Sequence, residues 1–232
     1  MGKGSIVIAT IKSWNIDYAN KIGGQIGYDV FVVSEKSMLS KEYLEKINPK
    51  YIFFPHWSWK IPNEVYNHWE CILFHMTDLP FGRGGSPLQN LIQRGIRNTK
   101  ISAIKVVEEL DAGPVYLKKE LDLAGSAGEI YRRASKTIFE EMIPQIIEHS
   151  PAPKKQVGEV TIFKRRKPEE SSIAALNSLM EIYDHIRMLD AEGYPAAFLK
   201  NKNVKIEFSQ AKFKDHYIDA KVKISLAGED NE

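Results

Sequence analysis

The chain has 232 residues, 43% of them hydrophobic and 27% charged, with 32 Lys and Arg against 30 Asp and Glu. That composition supports a sizeable core and excludes a disordered or collagen-like chain. No apolar run approaches the roughly 20 residues that span a bilayer, and MGKGSIVIAT is too short and strand-like for a secretory signal, so the expected location is the cytoplasm, with no membrane partner.

Charge is shared evenly: residues 1–150 carry 18 Lys and Arg against 17 Asp and Glu, and residues 151–232 carry 14 against 13. Proteins that grip phosphate backbones usually concentrate positive charge on one face or module, so this balance predicts no nucleic-acid partner. The basic run Lys164, Arg165, Arg166, Lys167 stands beside Pro168, Glu169 and Glu170 and reads as a solvated connector. Cys71 is the single cysteine, which leaves neither a disulfide framework nor a cysteine-rich zinc site and favours an inert thiol on a strand.

Along the chain, SIVIATI (5–11), YDVFVVS (28–34), KYIFFP (50–55), CILFH (71–75) and KISAIKVV (100–107) are short and nearly continuously apolar, as strands covered on both faces are. Helical stretches such as SKEYLEKIN and IPNEVYNHW alternate with them, and the sum predicts an α/β fold with a Rossmann-like, mostly parallel sheet. Ser86 and Pro87 read as a cap and first turn opening PLQNLIQRG, which Gly95 ends. Ser126 and Glu129 form a capping box for the helix EIYRRASKTIFEEMIPQII. Its stripe Ile130, Ala134, Ile138, Met142 is core packing, and Pro144 should kink or end it.

After residue 150 the texture changes. PAPKKQ reads as a polar linker, VTIF as a short strand and SSIAALNSLMEIYDHIRML as an amphipathic helix. AAFL, NVKIEF and YIDAKVKI read as strands of a small β-rich subdomain, and the tail AGEDNE is expected to fray. The predicted division is a domain over 1–150 and a linker, helix and β-rich subdomain over 151–232.

Reactive groups in open parallel sheets gather beyond the carboxyl ends of the strands. His75 closes CILFH, and Asp111 follows KISAIKVV in EELDAGP, so both reach that rim, where a carboxylate can orient an imidazole. A structural histidine and a turn-forming aspartate are the competing readings. GGQIG (23–27) precedes a strand and is no dinucleotide fingerprint, there is no Walker lysine motif, Ser86 is not in a nucleophile elbow, and no His, Asp and Glu cluster has zinc-ligand spacing.

His75, Thr77, Leu79, Pro80, Arg83, Gly84 and Pro87, followed by Leu110, Asp111, Ala112 and Gly113, resemble the H-x-S-L-L-P-x-x-R-G-x-x-P and L-D-x-G signatures of formyltetrahydrofolate-dependent formyltransferases. That family includes methionyl-tRNA, glycinamide ribonucleotide and nucleotide-sugar enzymes. FPHWSWKIP (54–62) and AEGYPAAF (191–198) add a resemblance to the sugar branch tied to pseudaminic-acid-type sugars. The resemblance implies formyl transfer from N10-formyltetrahydrofolate to a nucleotide-linked amino sugar, without a metal, and by analogy a homodimer. A methionyl-tRNA formyltransferase and a non-catalytic folate-binding homologue are the alternatives. It further implies His75 as oxyanion donor, Asp111 as its orienting partner and proton acceptor, and Phe54, Pro55, Trp57, Arg83, Gly84, Val107 and Leu110 around the folate. One departure stands out: Leu73 occupies the position of the family's Asn, and an apolar side chain cannot donate to a developing oxyanion. His56, Thr77 and Asn90 are the candidate replacements.

Overall fold

The computed structural model describes residues 4–227; the expected fraying of the tail therefore falls, past Ala227, outside the described residues. In chain order the elements are β1 (Ser5–Ala9), α1 (Ser13–Ile26), β2 (Asp29–Val33), α2 (Lys41–Ile47), β3 (Tyr51–Phe54), α3 (Asn63–Tyr66), β4 (Glu70–His75), β5 (Arg83–Gly84), α4 (Pro87–Gln93), β6 (Asn98–Lys105) and β7 (Val115–Asp122). There follow α5 (Ala127–Thr137), α6 (Ile143–His149), β8 (Ile162–Phe163), α7 (Leu179–Arg187), β9 (Ala197–Lys200), β10 (Val204–Phe213) and β11 (Ile218–Leu226).

Two compact units emerge, and no single cut at residue 150 separates them. The first comprises the chain up to Gly84, Thr99–Leu121 and Arg132–Ile162; the second comprises Gly85–Asn98, Asp122–Tyr131 and the chain from Phe163 onward. The predicted linker PAPKKQ belongs to the first unit, because Lys154 and Val115 exchange backbone hydrogen bonds at 2.7 and 2.8 Å and so tie it to that unit's sheet.

The large sheet runs β2-β1-β3-β4-β6-β7. Its first four strands are parallel, and β6 joins β4 antiparallel. Ile6, Val7, Ile8, Ile52, Phe53, Phe54 and Ile72 are fully buried, which explains why these strands are apolar without alternation. α1 buries Asn15, Ala19 and Ile22, one stripe at helical spacing, and ends on Gly27 in the left-handed region at φ 70°, where the missing Cβ removes the steric cost. Gly23 and Gly24 thus lie in the last turn of the helix, and Gly27 closes it. β7 is the one strand of this sheet that the apolar pattern does not reveal: VYLKKELD is half-exposed along most of its length.

Pro144 neither ends nor breaks its helix. A π-helical turn over Ile138–Met142 precedes α6, whose first turn contains Pro144. The wider turn accommodates a residue that lacks an N–H and would crowd the carbonyl four positions back.

In the second unit, β11-β10-β9 form an antiparallel sheet with a bulge between Ser209 and Lys212, where Gln210 has φ 53°. The predicted long helix over 171–189 is shorter in fact. Ile173 gives its N–H to the Phe198 carbonyl at 2.9 Å, pulling the start of the segment into strand-like pairing. The helix begins only at the Ser178–Glu181 capping box. Ser86 also differs from expectation: it sits at φ 48°, and its hydroxyl accepts the Arg166 N–H at 3.1 Å instead of capping α4.

Candidate active site

β4 delivers His75 to the carboxyl edge of the parallel strands, opposite Ser102 of β6 and two residues beyond Leu73, which pairs with Phe54 of β3. The ring is buried. Its Nε2 lies 2.8 Å from the Gly82 carbonyl oxygen; a carbonyl only accepts, so this nitrogen carries the donated proton. Its Nδ1 faces Asp111 Oδ1 at 3.6 Å.

Asp111 reaches that position through an unusual backbone. Its φ is 53°, which short polar residues tolerate better than most. The carboxylate is likewise buried, and its Oδ2 accepts the Gly84 N–H at 2.9 Å. Two positions on, a Cβ on Gly113 would lie 1.7 Å from the Lys105 carbonyl oxygen, so only glycine allows the loop to lie against the end of β6. The spacing of Leu-Asp-x-Gly is thereby explained: the glycine docks the loop, and the aspartate turns inward.

Thr77 is fully buried and donates its hydroxyl to the Gly82 carbonyl at 3.3 Å. Ser102 Oγ donates to the Thr77 carbonyl at 2.7 Å and accepts the Leu79 N–H at 3.3 Å. His75, Thr77 and Asp111 therefore share one hydrogen-bonded frame around the turn that bears Gly82 and Gly84. Gly82 and Arg83 both give their N–H to the Thr161 carbonyl, at 3.0 and 2.9 Å, which straps the turn from outside.

The remaining candidates divide. Phe54 is fully buried at the end of β3, and the Pro55 carbonyl accepts the Asn15 amide at 3.3 Å. Trp57 meets Phe54 and Trp59 edge-on, with ring centroids 5.9 and 4.9 Å away, and its indole nitrogen is buried with no hydrogen-bond partner among the described residues. Val107 is half-buried, whereas Leu110 is 69% exposed. His56, at φ 56°, stands edge-on to Trp14; burial, with a contribution from Lys12, lowers its pKa to about 4, so it is uncharged at neutral pH.

Arg83 spends its guanidinium on protein partners: Nε and Nη2 reach Gln156 Oε1 at 3.1 and 2.9 Å, and Nη1 reaches Glu109 Oε1 at 3.0 Å. Asn90 belongs to the second unit, where its amide nitrogen faces the carbonyls of Gly85, Ser86 and Lys164 at 3.0–3.2 Å and its Oδ1 accepts from Arg94 at 2.9 Å. Two N–H groups shared among three carbonyls leave none for a reacting oxygen. Leu73 packs with the apolar cluster of Ile52, Phe54 and Cys71. Cys71 is buried there, and that burial pushes its thiol pKa up, which fits an inert side chain. The sequence reading missed Gln156, since one glutamine in a polar, proline-punctuated stretch carries no local signal.

A mostly parallel Rossmann-like sheet with an antiparallel β-rich C-terminal part is the fold of the formyltransferases, and the comparisons carry this further. Residues 168–225 match the family of the methionyl-tRNA formyltransferase C-terminal domain. The structure of methionyl-tRNA formyltransferase from Clostridium thermocellum shares 53% identity, with a TM-score of 0.94, over 96% of this chain and 99% of that one. The chain belongs to the formyltransferase family, and by sequence it lies with the methionyl-tRNA formyltransferases. A methionyl-tRNA formyltransferase of Bacillus thuringiensis subsp. konkukian is 29% identical over 74% of this chain; the chain spans 57% of that relative's length. HypX from Aquifex aeolicus, solved with tetrahydrofolic acid, shares the fold at 18% identity and TM-score 0.76, over 90% of this chain and 38% of HypX.

These findings overturn the expected sugar-branch assignment and, with it, the expected amino-sugar partner. The aromatic and AEGYPAAF segments that suggested that branch are compatible with a chain sharing 53% identity with a tRNA enzyme. The charge-balance argument against nucleic acid fails for a physical reason: net charge averages over all faces, whereas a polyanion meets local ones. Lys164, Arg165 and Lys167 are exposed within four residues of one another. No helix among the described residues is long and apolar enough to cross a membrane.

Proposed function

We propose that the chain transfers a formyl group from N10-formyltetrahydrofolate to the amino group of methionyl-tRNA. The observation that carries this reading is the 53% identity to a methionyl-tRNA formyltransferase across nearly the whole of both chains. The buried meeting of His75 with Asp111 gives it chemical substance.

Phe54, Pro55 and Trp57 on one side, with Val107 and Leu110 on the other, would hold the pterin. The buried indole N–H of Trp57 is a donor in need of an acceptor, and the exposed Leu110 side chain offers apolar cover, which suits a flat heterocycle with polar edges. The folate supplies a formyl carbon joined to an amine that can depart. His75 presents its Nε2 proton. In the present arrangement the Gly82 carbonyl accepts the hydrogen bond from Nε2, so a bound formyl oxygen must replace this contact before His75 can stabilise charge on it. Asp111 faces Nδ1 of the ring and accepts a proton from the attacking amine, directly or through water, and that proton leaves on the folate nitrogen as its bond to the formyl carbon breaks. Thr77 and Gly84 fix the turn, and Arg83 acts on the loops through Gln156 and Glu109.

The test is to supply the purified chain with N10-formyltetrahydrofolate and methionyl-tRNA and to measure N-formylmethionyl-tRNA and released tetrahydrofolate. Stoichiometric formation of both is expected. Tetrahydrofolate release with nucleotide-linked amino sugars but none with methionyl-tRNA would overturn the reading. Leu73 favours one second reading, a folate-binding protein that does not transfer. Tight donor binding without product from any acceptor would support it.

A further inference from the structure

Gln156 joins the two loops that fix the Asp111 carboxylate. Its Nε2 donates to the carbonyls of Asp111 and Gly113, both at 2.8 Å, while its Oε1 accepts from Arg83 at 3.1 and 2.9 Å. Only one orientation of the amide satisfies this set, because carbonyls cannot donate and a guanidinium cannot accept. On one side it grips the main chain of Asp111, a residue at φ 53°. On the other it holds Arg83, whose neighbour Gly84 gives its N–H to Asp111 Oδ2. Its own place is set by the Lys154–Val115 bridge two residues earlier, which registers the connecting segment against the chain just past Gly113.

We infer that Gln156 is a positioning residue for the reaction: from the segment between α6 and β8 it locks Asp111 against His75. This rests on the formyl-transfer reading of that pair. The connecting segment is accordingly part of the catalytic apparatus, although Gln156 itself touches no reacting atom.

Gln156→Glu isolates the role. Glutamate keeps the length of the side chain and the acceptor for Arg83, but it removes both donors and turns an oxygen toward two carbonyls. In the full chain, with kcat and KM measured for both substrates, kcat should fall by about ten- to a hundredfold, while each KM moves less than about threefold. In an Asp111→Asn background the same change should cost less than about twofold, since a residue acting through Asp111 has nothing left to position. Equal losses in both backgrounds would overturn the inference. Gln156→Ala and Gln156→Asn, with melting curves, separate a folding defect from a positioning one; a kcat loss that tracks the loss of melting temperature across the three variants also counts against it.

A second readout needs no substrate. The His75 imidazole resonances of Gln156→Glu should shift toward those of Asp111→Asn, and resonances identical to those of the parent chain would overturn the inference. If the parent chain forms no formylated product, the functional reading falls while these resonances still decide whether Gln156 positions Asp111.

Discussion

The two ends of strands β3, β4 and β6 make an instructive contrast. At the end where β3 and β4 begin, Glu70 pairs with Lys105 Nζ at 2.8 Å and with the Tyr116 hydroxyl, and the Glu70 and Lys105 side chains are 33% and 38% exposed. Where β3 and β4 finish, the His75 and Asp111 side chains are 7% and 4% exposed, Asp111 arriving there by a loop that leaves β6 at the opposite edge, and backbone groups of Gly82 and Gly84 hold them. The first arrangement joins flexible side chains in partly screened surroundings, where an ion pair contributes little. The second joins short side chains to fixed main-chain donors and acceptors, out of water, which is the kind of preorganisation that chemistry uses. Backbone commitment distinguishes the two ends.

The sharpest way to break this contrast is His75→Asn. Loss of formyl transfer by about 10²- to 10⁴-fold is expected, with little change in melting temperature, as for removal of a general acid or oxyanion donor. Near-normal turnover in a folded variant would show that the buried end is merely structural. Next in size is Gly113→Ala, whose Cβ would collide with a backbone oxygen of β6. A destabilisation of about 3 kcal/mol or more is expected from urea unfolding; a stability equal to the parent's would mean that the loop is not docked as described.

His56 sharpens the contrast by titration. Its pKa in the folded chain, lowered from 6.5 to about 4 mainly by burial, means that between those values the unfolded chain binds a proton that the folded chain refuses. The His56 contribution to stability should therefore fall as the pH drops from about 6.5 to about 4 and level off below. His56→Asn, which suits the left-handed backbone there, should flatten that decline by on the order of 3 kcal/mol. His185, held down by burial and by Arg166, leaves a residual slope. An unchanged pH profile of the melting temperature would refute the assignment. The smallest effect belongs to the opposite end: Lys105→Met should alter stability by about 0–1 kcal/mol and leave kcat within about twofold.

Much of this was readable from residues alone, for physical reasons. β1, β3 and β4 are covered on both faces, so their apolar runs mark them to within two residues of the observed bounds. The strand-end rule placed His75 at the carboxyl edge, where it lies, but it misplaced the origin of Asp111: β6 runs antiparallel to β4, so the Asp111 loop leaves from the opposite edge and returns to His75. β7 was not legible because its side chains are half-exposed, and the start of the long predicted helix was lost to pairing with Phe198, a tertiary contact that no local pattern encodes. Gln156 was invisible for the same reason: its role lies in two carbonyls more than forty residues away in the chain. The balanced charge misled because it was summed over the molecule before any surface was known.

The π-helical turn at Ile138–Met142 has a consequence for how this chain can change in length. α6 ends at Ser150, whose hydroxyl meets the Tyr51 hydroxyl at 3.2 Å, and the segment bearing Gln156 departs from there. The wide turn absorbs one residue, so deleting one there would restore ordinary helical pitch and leave the downstream chain close to its present phase, whereas a deletion in α5 or α6 would rotate it by about 100° and shorten it by about 1.5 Å. A deletion in α5 or α6 would unmoor Ser150 from Tyr51 and swing Gln156 away from its carbonyls, so the irregular turn is the one place in this helical run where the chain can lose a residue and keep that register.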